Sequence, residues 1–188
     1  MSQFEFIAVL VSIVTGLGIV RLLSGLAQFL SRNRRSYWVH LLWTWNVFHF
    51  IVFFWWFFWR WSAISEWNLL LFLFVLVYSV VMYLLCALLY PTGEGRTNFE
   101  EIYYEKRTWF FGLWVLVMII EIVDTNWKMY YGMSGFGLFL VTVWGLILAG
   151  SLIAARTANR YFHAAWAVIF FLIMSTVEFV NFSTLRAY

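Results

Sequence analysis

Six long apolar runs separated by short polar links account for nearly all of the chain. The runs cover about 4–29, 37–59, 67–90, 108–125, 136–155 and 161–182. Each has roughly the ~20 residues that a helix needs to cross the hydrocarbon of a bilayer, and barrel strands would be shorter and alternating. The pattern predicts an all-α fold: one polytopic domain over 1–188, built from six transmembrane helices. The longest polar link ends in 94–107. There Phe99, Ile102 and Tyr103 fall at i, i+3 and i+4, which predicts a short amphipathic segment along the membrane surface, leading into the fourth span. Pro91 is the single proline, so long helices without proline kinks are expected.

The links also set an orientation. Arg32, Arg34, Arg35, Arg96, Lys106, Arg107, Arg156 and Arg160 lie on one side, against Arg60, Lys128 and Arg186 on the other. Lys and Arg accumulate on the cytoplasmic side, so both termini are expected outside, on the periplasmic face of a bacterial inner membrane. The first run lacks a basic leader and reads as a retained span rather than a signal peptide. Trp38, Trp59, Trp61, Trp67, Trp109 and Trp127 fall near span ends, where interfacial belts place tryptophan.

Composition narrows the class. Hydrophobic residues make up 64% and charged residues 11%, against ~45–50% and ~25% in a soluble domain. That excludes a soluble catalytic domain, a disordered chain and a coiled coil. The net charge of +3 resides in the links, so it reads as topology and not as a nucleic-acid surface. Cys86 is the single cysteine, which excludes an intramolecular disulfide and a CxxC pair. No phosphate-binding loop, zinc-protease helix or nucleophile elbow is present, and no enzyme, metal site or cofactor is expected.

Polar residues inside the spans are the functional candidates, because each charge in hydrocarbon costs ~2.5–3.5 kcal/mol on an insertion scale. Arg21 shares a face with Gly18 and Gly25. It points either into the bundle or a protomer contact, or it snorkels to the inner interface. Glu121 and Asp124 lie at i and i+3 in the fourth run, with Lys128 one turn on. Glu178 sits at similar depth in the sixth, and Glu5 and Glu66 lie on the same side. Together these carboxylates predict an acidic outward vestibule; the alternative is separate carboxylates that lock helices together. His49 is the most central titratable residue, with Asn46 on its face. It relays protons or hydrogen-bonds across a helix interface. His40 and His163 lie at matching depths near the inner surface, which raises a bis-histidine haem as a minor reading. Gly145, Ala149, Gly150 and Ala154 form a small-residue stripe suited, like Gly18 and Gly25, to close helix packing and homo-oligomerisation. Two hairpins share a pattern, Gly25, Tyr37, His40 and Trp43 against Gly150, Tyr161, His163 and Trp166, as an old duplication would leave.

The segment Gly16-Leu-Gly18 running into Arg21-Leu-Leu-Ser-Gly25, together with Phe54-Trp55-Trp56, Tyr103-Tyr104 and Arg107-x-Trp109-Phe110-Phe111, resembles a family of small, uncharacterised, polytopic bacterial inner-membrane proteins. The resemblance spans about the first two-thirds of the chain. It implies a bacterial origin and brings no activity with it.

The reading is a small multi-pass channel or transporter for protons or small cations. Glu121 and Glu178 form the outer site, His49 with Asn46 the midpoint, and Arg21 the inner gate. The alternative is a non-enzymatic scaffold, or a lipid- or pigment-binding protein. The 13 Trp, 10 Tyr and 21 Phe favour it, since they exceed what two belts use. Membrane lipids and a second copy are the expected partners.

Overall fold

The computed structural model describes residues 2–29, 36–64, 66–91, 98–132 and 137–181, the last two of these and Gly137 by backbone only. The basic residues Arg32, Arg34, Arg35, Arg96 and Arg186 lie outside the described residues. The fold is all-helical: α1 Gln3–Phe29, α2 Trp38–Phe58 running into a 3-10 turn Trp59–Ala63, α3 Leu69–Leu89, α4 Phe99–Tyr130, α5 Gly137–Arg156 and α6 Arg160–Asn181. All six are long and apolar enough to cross a membrane.

Local signals start these helices. Ser2 and Glu5 form a reciprocal capping box at α1: Glu5 N–H donates to Ser2 Oγ (3.2 Å) and Ser2 N–H to Glu5 Oε2 (2.8 Å). Asn68 Oδ1 accepts from Leu71 N–H (2.8 Å) at α3, and Asn98 Oδ1 from Glu100 N–H (3.1 Å) at α4. Asn159 Oδ1 takes Tyr161 N–H (2.9 Å) at the head of α6. Each supplies an acceptor to a backbone donor that the helix leaves open.

The α2 helix lies against α1, α3, α4 and α6; α1 runs along α3, and α4 along α5. Trp43, Trp114, Phe111 and Phe170 form the aromatic centre. The Trp43 ring meets Phe111 and Phe170 at centroid distances of 5.1 Å, and Trp114 meets Phe170 at 4.7 Å. The chain passes up and down. Phe29, His40, Tyr90, Phe99, Tyr103 and His163 gather at one end, termed here the basic end. Phe4, Phe58, Trp61, Trp67 and Trp127 gather at the far end.

Two expectations change. The link 98–107 is not a separate surface segment, because α4 is one helix of 32 residues, ~48 Å long and so longer than the ~30 Å hydrocarbon. Its apolar face is buried in the protein instead: Phe99 stacks on Phe29 at 4.1 Å, and Ile102 and Tyr103 are buried beside it. Trp61 is no belt residue either. It is 1% exposed, whereas Trp38, Trp59 and Trp109 are 51–74% exposed.

Candidate functional site

The polar residues of the apolar helices fall into separate contacts. At the far end, Glu121 on α4 is sealed at 2% exposure. Its Oε1 accepts from the Tyr78 hydroxyl of α3, and its Oε2 is buried without a partner. One turn on, Asp124 takes Trp61 Nε1–H on Oδ1 (2.9 Å) and Lys128 Nζ on Oδ2 (2.5 Å). The Lys128 ammonium also lies over the Phe57 ring, 3.9 Å from its centroid, a cation–π contact in a desolvated place. Asp124 and Lys128 therefore tie α4 to the end of α2.

His49 and Glu178 form the second site. The His49 Nε2 lies 2.5 Å from Glu178 Oε2, joining the middle of α2 to α6. Both side chains keep about a fifth of their surface exposed, 20% and 22%. The second carboxyl oxygen, Oε1, is buried without a partner. Trp45 lies parallel to the imidazole at 6.2 Å and Phe171 flanks it at 6.1 Å. Asn46 is buried and donates from Nδ2 to the Ala167 carbonyl of α6 (3.0 Å), so it fastens the same pair of helices.

These two sites do not share a surface. Tyr78, the partner of Glu121, packs on Phe54 at 4.9 Å. Phe54 follows His49 by five residues, ~140° around α2 at 3.6 residues per turn. Arg21 is apart from both. Its Nε–H donates to the Tyr90 carbonyl (2.9 Å) and caps the end of α3 at the basic end. Four of the five carboxylates expected in the vestibule are held in separate contacts: Glu5 in the capping box, Glu121 with Tyr78, Asp124 with Lys128, and Glu178 with His49, while Glu66 is exposed. A buried carboxylate binds the nearest donor because an unpaired one is so costly in low dielectric.

The glycines divide as well. A Cβ at Gly25 would stand 2.2 Å from the Tyr90 ring, and one at Gly18 3.1 Å from Cys86 Sγ, so both let α3 approach α1. A Cβ at Gly150 would meet the Trp166 ring at 2.2 Å. The stripe on α5 is two faces. Gly145 has nothing within 4 Å of its Cβ position and Ala149 is exposed, while Ala154 is buried. Steps of ~100° place Gly145 and Ala149 together, and Gly150 and Ala154 about 140° away.

The two histidines raised for haem are each held in contacts of the protein itself. His40 and His163 flank one ring, Tyr103, at 6.3 and 5.4 Å. Both nitrogens of His163 are engaged: Nε2–H donates to the Thr157 carbonyl (2.9 Å), which leaves Nδ1 to accept from Tyr103 O–H (2.9 Å). His40 is 0% exposed inside Phe29, Tyr90 and Phe99. Nor do the two hairpins use their shared pattern alike, since Tyr37 bonds to Tyr104 (3.1 Å) while Tyr161 is 88% exposed.

Sequence reading passed over two features. An apolar groove of about 440 Å³ lies between α1 and α2, lined by Leu22, Leu26, Trp38, Leu42, Trp45 and Phe48. A polar cavity of about 400 Å³ lies at the basic end, between the start of α4 and the start of α6. No periodicity announces either, because both are formed by pairs of helices.

Six helices long and apolar enough to cross a membrane, held by sparse buried polar contacts, define the class that the structure shows. Comparison with known proteins returns no match, whether to a family model, a curated protein or a solved structure.

Proposed function

We propose that the chain is a small, non-enzymatic, multi-pass protein of the bacterial inner membrane that moves protons or small cations, with His49 and Glu178 as the exchange site. The observation that carries this reading is the imidazole–carboxylate pair at 2.5 Å near the middle of α2, partly exposed and with one carboxyl oxygen still unpartnered. A histidine changes charge near physiological pH, and a carboxylate within hydrogen-bond reach gives its proton an acceptor. Glu121 serves the far end in this reading, as a sealed carboxyl beside the Asp124–Lys128 pair, and Arg21 holds the basic end.

An ionisable pair turned to lipid is unfavourable by ~2.5–3.5 kcal/mol. A second copy of the chain therefore covers the α2–α6 face, and the conducting path runs between protomers. The basic end is cytoplasmic by its excess of Lys and Arg.

Flux into proteoliposomes tests the reading. A pH-sensitive dye should report faster proton entry with the wild type than with empty vesicles, and Glu178→Gln should return it to the empty-vesicle rate. Wild-type vesicles no faster than empty ones would refute it.

The groove between α1 and α2 favours a second reading, a site for an apolar chain or pigment. A ligand that co-purifies with the wild type, and is lost on Leu42→Trp, would support it.

A further inference from the structure

We infer that the cavity at the basic end is a binding site for a phosphoethanolamine group, a phosphate and a primary ammonium joined by two carbons. This goes beyond the transport reading and does not depend on it. The cavity, about 400 Å³, is lined by Asn98, Glu100, Glu101, Tyr104, Arg107 and Arg160. Two guanidinium groups and two carboxylates line one concavity, so its formal charge cancels. That pattern complements a zwitterion better than a bare anion or cation.

Arg107 spends one Nη1–H on the Tyr104 carbonyl (2.9 Å) and its Nε is closed off from solvent, so its remaining Nη N–H groups are what it offers the cavity. A phosphate oxygen is the acceptor that matches the guanidinium fork. Arg160 stands opposite. It is held by Glu100 at 3.0 Å with its side chain 74% exposed, so further N–H groups face outward. The carboxylates of Glu100 and Glu101 are the acceptors for an ammonium. The walls are fixed from behind: Tyr104 O–H and Tyr37 O–H are bonded at 3.1 Å, and Asn98 Nδ2–H holds Glu101 at 2.8 Å.

Depth points to the membrane as a source. Trp109, 74% exposed and two residues beyond Arg107, is placed as an interfacial tryptophan. The cavity then lies at headgroup level, where phosphatidylethanolamine presents this chemistry. Soluble phosphoethanolamine presents the same groups, so the test has an arm for each.

Native mass spectrometry of the full-length chain, titrated in detergent with phosphatidylethanolamine, phosphatidylcholine and phosphatidylglycerol, is the first arm. Calorimetry with soluble phosphoethanolamine is the second. The wild type should bind phosphatidylethanolamine at least tenfold more tightly than phosphatidylcholine, whose quaternary ammonium has no N–H to donate. Arg107→Gln and Arg160→Gln should each weaken binding, and Glu101→Gln should shrink the preference over phosphatidylglycerol. Binding of the soluble compound alone, lost in the same variants, supports the site with a soluble ligand. Thermal melting identifies variants that fail to fold; Arg160, being exposed, supplies the reading if Arg107→Gln is one of them. The inference is overturned if neither form binds better than its controls, or if folded Arg107→Gln and Arg160→Gln bind as the wild type does.

Discussion

A methyl group added at Gly25 or Gly150 would stand 2.2 Å from an aromatic ring, while one at Gly145 would meet nothing. Overpacking a close helix contact costs ~1–3 kcal/mol. Gly25→Ala and Gly150→Ala should lower the melting temperature in detergent, and Gly145→Ala should hold or raise it, since alanine gains up to ~1 kcal/mol over glycine in a helix. Residues of this kind were only half legible. Gly18 and Gly25 share a face with Arg21 in the sequence, but nothing in the sequence says that the ring opposite Gly25 belongs to Tyr90.

The fourth helix carries the element-scale lesson. Its apolar run marks a span from residue 108, yet the helix begins at Phe99. Glu100, Glu101, Glu105, Lys106 and Arg107 interrupt the hydropathy, but a helix needs only one apolar face, and Phe99, Ile102 and Tyr103 supply it. Asn98 caps this start by accepting the Glu100 N–H, a local signal that run hydropathy does not carry. Lys106→Pro tests the continuity: a proline inside a helix costs ~3 kcal/mol or more, so the melting temperature should fall. Were 98–107 a detached surface segment, it would hardly move. The Asp124–Lys128 pair joins α4 to α2 in the same way. Lys128→Met leaves Asp124 a buried charge with Trp61 alone, at ~3–5 kcal/mol, and the double change Asp124→Leu/Lys128→Met should recover most of the loss. The pair was visible at i and i+4; its burial was not, because that depends on Phe57 and Trp61 arriving from another helix.

For the whole molecule, six helices were legible because length and hydropathy are properties of the chain itself. Which intramembrane residues meet was not, since α2 is apolar on every side and its rotation is set by packing. That rotation separates Glu121 from Glu178 and brings His49 to Glu178, dividing what reads in sequence as one ladder of charges. It also leaves the His49–Glu178 pair partly exposed between α2 and α6, where the proposed transport reading puts a second copy. The most direct test of the account is proton entry into proteoliposomes that hold the wild type, His49→Ala, Glu178→Gln or Glu121→Gln, with each variant shown to be folded. Entry should be fast for the wild type, fall to the empty-vesicle rate for His49→Ala and Glu178→Gln, and persist in part for Glu121→Gln. Equal entry into wild-type and empty vesicles, or unchanged entry with Glu178→Gln, would contradict it.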